Sequence, residues 1–368
     1  MIFIILFSLL TIIIYFIYIN IFFHKMSFMI FAKKIIRKLY KLIFKRNLYK
    51  EPVGENSIYS QVNDLKNFFF NTGDSIILNI PTSDKSNQAV HPDVIYIENG
   101  FGYLRKKYWM VCTPYPNQDD RFENPEVFSS EDGFFWSQPQ KDINPIIQKP
   151  KDFLSHNSDA SILFNEKKLT VFFRTSFYEK NINTNKIYSI NSDDGVNWKD
   201  TKLLMESKSN LFLSPVVKKI NNEWVMWLVD YKKQDKSSLV IYRKTSNNLI
   251  DWTNTTEVPC HNLPQGNMPW HIGVEIFDKT IFCFLTSCKK LGGKKSINWL
   301  ARSEDLGNSF QVIRSFDTKY KFENWFQYRG SMIYSHANNK IQIFYSAVDK
   351  NNISYIVRSD QTKDKFYE

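Results

Sequence analysis

One short motif recurs along the chain at a nearly constant spacing, and it constrains the fold more than any other feature. It reads "SSEDGFFW" at Ser129–Trp136 and "NSDDGVNW" at Asn191–Trp198. Weaker copies, "TSNNLIDW" and "RSEDLGNSF", end at Trp252 and Phe310, and a fragment, "RSDQ", begins at Arg358. The Ser that opens each copy stands at 130, 192, 246, 303 and 359, giving steps of 62, 54, 57 and 56 residues. A second marker keeps the same period: "HPDVIYI", "SDASILF", "SPVVKKI", "WHIGVEI" and "YRGSMIY" begin at 91, 158, 214, 270 and 328. Two independent markers with one period indicate a repeat architecture.

The motif has the chemistry of a tight turn. Ser and Asp bond the turn's backbone, Gly takes the positive φ, and Trp packs between sheets. Between the markers lie β-rich runs such as "KYWMVCT", "LTVFFRT" and "WVMWLVD", and a further run precedes each turn. Each unit therefore reads strand, strand, strand, turn and a short fourth strand. Five such units predict an all-β, five-bladed β-propeller. An aromatic content of 16% with only 12 Gly suits packed sheets better than a loop-rich chain. The fifth unit ends without its outer strand, and "DSIILNI" (Asp74–Ile80) is expected to supply it and close the ring.

The N-terminal part has a different character. Residues 1–23 carry no charged side chain and are almost wholly apolar, long enough for a transmembrane anchor. Residues 1–50 hold nine Lys/Arg and no acid, while the remainder of the +11 net charge is only +2. The basic character thus belongs to residues 24–50, an amphipathic segment suited to anionic lipid, and the propeller occupies 51–368. This excludes a nucleic-acid partner for the folded part. Positive charge on the C-terminal flank of the apolar run places a single-pass protein's propeller on the cytoplasmic face. Four cysteines without a CxxC pattern read as reduced structural thiols.

Strand direction sorts the residues by face. The start of strand one, the end of strand two and the start of strand three share one face; the repeated turns lie on the other. The working face then collects His91, Asp93, Tyr115, Glu123, Asp159, Arg174, Ser214, Trp270, His271, Tyr328 and Arg329. His91 and His271 would make a metal pair, but with no third His nearby the sequence favours sugar hydrogen bonding or a buried structural role. No metal or other cofactor is expected.

The segments "HPDVIYI", "YWMVCTPYP", "ENPEVFSSEDGFFW", "NSDASILF", "LSPVV", "PWHIGVE" and "YRGS" resemble a glycosidase-like propeller group often associated with bacterial surface polysaccharides. The layout is similar to the arabinanase/β-xylosidase and invertase-type glycoside hydrolases, and the turn to the sialidase-type Asp box. The resemblance covers roughly 87–360. It implies an Asp base on the first blade, an Asp that tunes the acid on the second and a Glu acid on the third. Asp93 matches the first position and Asp159 the second; the third blade opens with Ser214, which leaves Glu123 or Glu275 as the acid, with Glu123 on the working face. The expectation is a membrane-anchored glycosidase-like hydrolase with catalytic Asp93, Asp159 and Glu123. Its substrate would be a bacterial surface polysaccharide or its precursor. His91, Tyr115, Arg174, Ser214, Trp270, His271, Tyr328 and Arg329 would bind the sugar. The alternative is a non-catalytic, glycan-binding or scaffolding propeller.

Overall fold

The computed structural model describes residues 75–362, apart from 166, 180–181, 234, 292–294, 317–325, 336–338 and 350, together with Phe366. The expected anchor at 1–23 and basic segment at 24–50 lie outside the described residues. Among the described residues no helix is long and apolar enough to cross a membrane.

The strands form five sheets, one for each repeat, antiparallel throughout except for a short parallel pairing at the edge of the fourth. The first strand, β1 (Ser75–Leu78), is left unpaired until the chain's end. Blade one follows as β2 (Ala89–Phe101), β3 (Lys106–Pro114) and β4 (Glu126–Ser130), with a single bridge from Ser129 to Ser137 in place of a fourth strand. Blade two is β5 (His156–Asn165), β6 (Lys168–Glu179), β7 (Ile182–Ser192) and β8 (Trp198–Ser207). Blade three is β9 (Leu213–Ile220), β10 (Glu223–Lys232), β11 (Asp235–Ser246) and β12 (Thr253–Val258). The short β13 (Cys260–His261) then joins blade four's edge, ahead of β14 (Met268–Phe277), β15 (Thr280–Cys288), β16 (Ser296–Ser303) and β17 (Phe310–Ser315). Blade five is β18 (Phe326–Ser335), β19 (Lys340–Val348) and β20 (Ser354–Thr362). It is completed by β1, whose Ser75 pairs with Ser359 and Leu78 with Ile356. The N-terminal strand thus closes the ring, as its sequence suggests.

The core is divided among the seams between blades, because a single sheet cannot bury both of its faces. Val225, Trp227 and Val229 of blade three pack on Val274, Cys283 and Leu285 of blade four. Trp109 and Val111 of blade one pack on Ala160, Ile162 and Val171 of blade two, and three similar clusters fill the remaining seams. The four cysteines are free, and burial pushes the thiols of Cys112 and Cys283 well up.

The repeated turn is built as its residues dictate. In blade one, Asp132 Oδ1 accepts the N–H groups of Phe134 and Phe135 at 2.8 and 3.0 Å, and Ser130 Oγ accepts that of Gly133 at 2.9 Å. In blade two, Asp194 and Ser192 repeat these bonds, and in blade three Asn248 does the work of Asp. The glycines allow close approach to the neighbouring blade. Gly195 (φ +79°) sits under the indole of Trp109, and Gly307 (φ +80°) under that of Trp227, whose Nε1–H donates to the Gly307 carbonyl at 2.9 Å. Blade five has no complete turn of this kind; its buried Arg358 instead lies 3.7 Å from the Phe134 ring centroid and donates to the Asp132 carbonyl of blade one.

Candidate functional site

The innermost strands begin on the face opposite the turns, and each carries an irregularity there. The pairing of β2 slips between Val90 and Asp93, of β5 between Ser158 and Ser161, of β9 opposite Trp227–Val229, of β14 between Pro269 and His271, and of β18 between Gln327 and Gly330. The extra residues at these bulges are His91, Asp159, Ser214, Trp270 and Tyr328 with its neighbour Arg329. His91, Asp159 and Ser214 have φ of 57°, 53° and 51°. A positive φ in a residue other than Gly is costly, about 1–3 kcal/mol each, and such strain clusters at functional positions. Bulges re-aim side chains, and residues of these bulges meet, buried, on the face opposite the turns.

His91, Asp159 and His271 each place one ligand-type atom within 4.8 Å of the others, and all three are buried. His271 Nδ1 lies 3.0 Å from Asp159 Oδ1 and 2.8 Å from Ser214 Oγ, while its Nε2 lies 2.7 Å from the Tyr328 hydroxyl. The Arg174 Nε is 3.1 Å from Asp159 Oδ2, and Arg174 also donates to Ser158 and Asn185. Arg329 Nη1 stands 4.0 Å from Asp159 Oδ1. His91 stacks on Tyr328 with centroids 5.0 Å apart, and its Nδ1 is 3.2 Å from Glu123 Oε2. Glu123 accepts the Thr113 hydroxyl at 2.9 Å. Trp270 meets Tyr328 edge-on at 5.0 Å. Tyr115 is half-buried and within the electrostatic reach of Glu123.

The charges follow from this packing. Burial opposes ionisation of Asp159, but His271, His91 and Arg174 outweigh it and hold the carboxyl well below its ordinary range. Burial pushes the imidazole of His271 down to about 4, so it is neutral near pH 7. Burial also lifts the phenol of Tyr328 well above its ordinary value, so it keeps its proton.

The group fits a divalent cation. Two imidazoles and a carboxylate are a common donor set for transition metals. Among the described residues, His91 Nε2 and Arg329 Nε are buried with no polar partner. Buried polar groups are rarely left without partners, and an orphaned one costs about 1–3 kcal/mol. Ligation at one nitrogen of either His would leave the other facing a side chain, Glu123 for His91 and Asp159 or Tyr328 for His271. Such outer partners orient metal-binding imidazoles. The sequence lacks a third His for the pair His91 and His271; the structure supplies Asp159 as the third donor.

Asp93 is set apart from this cluster. It begins the regular part of β2, and its Oδ2 accepts the Ile162 N–H of blade two at 2.8 Å. Similar links pin the other inner strands, which stand too far apart to pair directly. Ser331 Oγ accepts from Val94 N–H at 3.0 Å, Ser161 Oγ donates to the Pro215 carbonyl, and Lys218 Nζ lies 2.6 Å from Glu275 Oε2. Between blades four and five there is no room for a side chain: a Cβ on Gly273 would stand 2.2 Å from the Gly330 carbonyl oxygen. Asp93 is therefore one member of a ring of blade-to-blade links, and Glu275 another. Burial raises the Asp93 carboxyl above its ordinary value, with Lys218 and Arg329 opposing that shift. Sequence reasoning did not single out His156, a buried imidazole lowered by burial and under the influence of Glu123 and Arg174.

No protein-family model matches the chain. Over 79 residues it is 38% identical to the A type blood N-acetyl-alpha-D-galactosamine deacetylase of Flavonifractor plautii, a stretch that spans 22% of this chain and 10% of that protein. The crystal structure of an N-acetylgalactosamine deacetylase from F. plautii, in complex with blood group B trisaccharide, superposes with a TM-score of 0.67 at 19% identity. The superposition covers 79% of this chain and 95% of that one. An α-L-arabinofuranosidase from Lactobacillus brevis gives a TM-score of 0.53 at 10% identity, over 75% of this chain and 92% of that one. The RS223 β-xylosidase gives 0.52 at 10% identity, over 74% and 92%. The fold is a five-bladed propeller, as the sequence predicts, and these solved structures share it.

Proposed function

We propose that the chain is a carbohydrate-active hydrolase whose site removes an acyl group, in the first instance an N-acetyl group, from a sugar. The observation that carries this reading is the convergence of His91, Asp159 and His271, two imidazoles and a carboxylate, on the face opposite the turns. The partial likeness to an N-acetylgalactosamine deacetylase adds support. A divalent cation held by His91, Asp159 and His271 would polarise a carbonyl oxygen and lower the pKa of water.

The chain's own residues have distinct tasks. Asp159 contributes a fixed negative charge, and neutral His271 leaves a lone pair available. Glu123, beside His91 and Thr113, is the carboxylate placed to take up or return a proton. Arg329, whose Nε has no polar partner among the described residues, would donate to a substrate oxygen. Trp270 and Tyr115 suit stacking on a sugar ring. The apolar residues 1–23 and basic residues 24–50 support a membrane-anchored setting with the propeller on the cytoplasmic side. There the substrate would be an N-acetylated surface polysaccharide or its precursor.

The test separates three outcomes. Full-length protein is incubated with N-acetylated oligosaccharides, with and without EDTA, and both acetate and new reducing ends are measured. Acetate release that EDTA and Asp159→Asn abolish, without new reducing ends, is the expected result. Reducing ends without acetate would point instead to a glycosidase using Asp93, Asp159 and Glu123. Binding with neither product would support a glycan-binding propeller.

A further inference from the structure

The face opposite the site carries a feature that catalysis does not use. The hairpin between β2 and β3 closes with the Arg105 N–H donating to the Gly102 carbonyl at 3.0 Å, and lifts Tyr103 and Leu104 clear of the protein. They are 94% and 55% exposed, and Tyr103 makes no hydrogen bond or ring contact among the described residues. Three basic residues follow at once: Arg105, Lys106 and Lys107. Glu131 is a loose 4.0 Å from Lys107, and Asp194 lines the same cleft as Lys106. The crowns of the repeated turns on the same face expose Phe135, Ile250 and Leu306 from blades one, three and four. A cleft of about 340 Å³ runs between the hairpin and the second blade's turn, walled by Phe101, Leu104, Trp109 and Val196 with Lys106.

We infer that this turn face is a membrane-docking surface, with Tyr103 and Leu104 entering an anionic bilayer and Arg105, Lys106 and Lys107 meeting its headgroups. A tyrosine and an aliphatic residue at a tip, backed by Lys and Arg, match the chemistry of the bilayer interface. Chain direction points the same way. Ser75 opposes Ser359, so the chain enters the propeller on the turn face, and the 74 residues before it include the apolar run 1–23 and nine basic residues within 1–50. On the site face, by contrast, exposed aromatics already have cationic partners: Arg121 lies 4.5 Å from the Phe153 ring centroid and Lys149 5.9 Å from that of Phe122. The docked propeller presents His91, Asp159 and His271 away from the bilayer. The inference is independent of the hydrolase reading but rests in part on residues 1–23 being an anchor.

Full-length protein carrying an environment-sensitive fluorophore at Leu104→Cys, or at Phe153→Cys as the opposite-face control, is reconstituted into nanodiscs of phosphatidylcholine and phosphatidylglycerol containing spin-labelled lipid. Fluorophore-treated wild type supplies the background from the native cysteines. Quenching at position 104 at least twice that at 153 is expected, with a marked drop when Arg105, Lys106 and Lys107 are all changed to Glu. Equal quenching, or more at 153, would overturn the proposal. So would a label at 104 that is shielded without lipid in a concentration-dependent way, which would assign the face to a second copy of the chain. Resistance to alkaline extraction tests the anchor separately. If the chain is not retained, flotation with vesicles of the same lipids still tests the face, and quenching at 104 is still expected.

Discussion

Replacing Gly195 with Ala should destabilise the propeller at the seam between its first two blades. Gly195 has φ +79°, where an L side chain is strained by about 1–2 kcal/mol. The new Cβ would also stand 2.1 Å from Cη2 and 2.5 Å from Cζ3 of Trp109, whose indole is sealed in the seam and cannot swing away. Overpacking of this kind costs about 1–3 kcal/mol more. Together these give about 2–5 kcal/mol, or a fall in Tm of roughly 4–10 °C for a unit of this size. Gly266→Ala is the internal control. Its φ is +80°, yet no heavy atom lies within 4 Å of the added Cβ, so only the backbone strain applies. Thermal unfolding followed by near-UV circular dichroism reads both the midpoint and the tryptophan environment. Equal shifts for the two variants, with the aromatic signal unchanged, would refute the claim that the turn glycine is required by Trp109.

Two further outcomes follow from the same structure. Burial lifts the Glu126 carboxyl to about 7, although it accepts bonds from the N–H and hydroxyl of Ser83, so the folded state favours the proton more than the unfolded chain does. Stability should therefore fall as pH rises from about 4.5 to about 7, by up to about 3 kcal/mol; Glu126→Gln should flatten that slope in urea titrations at successive pH values, and an unchanged slope would count against it. Asp194→Asn should cost less than Asp194→Ala in the same titration, because Asn248 makes the equivalent backbone bonds in blade three, whereas Asp194→Ala should cost about 1–2 kcal/mol for the lost turn bonds.

The architecture was legible because its signals are local. Ser130, Asp132 and Gly133 specify a turn by their own chemistry, and the repetition of that turn counts the blades. The closing role of Ser75–Leu78 was legible as well, since the fifth unit visibly lacks a partner strand. The site was only partly legible. Its residues could be assigned to a face from strand direction, but the bulges at His91, Asp159 and Ser214 leave no mark in sequence, because residues other than Gly adopt the positive φ there. Without them, Asp93 and Asp159 look equivalent. With them, His91 is the counterpart of Asp159, and Asp93 stands at the level of Ser161, among the links between blades. The Lys218–Glu275 pair was hidden for a related reason: each lies deep in an inner strand, and only the packing of blade three beside blade four brings the two within 2.6 Å.

His91, Asp159 and His271 together offer one metal-binding centre on the face opposite the turns. Equilibrium dialysis of EDTA-stripped full-length protein against Zn²⁺ or Mn²⁺, with metal per chain measured by elemental analysis, tests it directly. One tightly held ion per chain is expected in the wild type. That ion should be lost in His91→Ala and His271→Ala and retained in Asp93→Asn. No bound metal in a folded wild type, or an ion unaffected by both histidine substitutions, would contradict it.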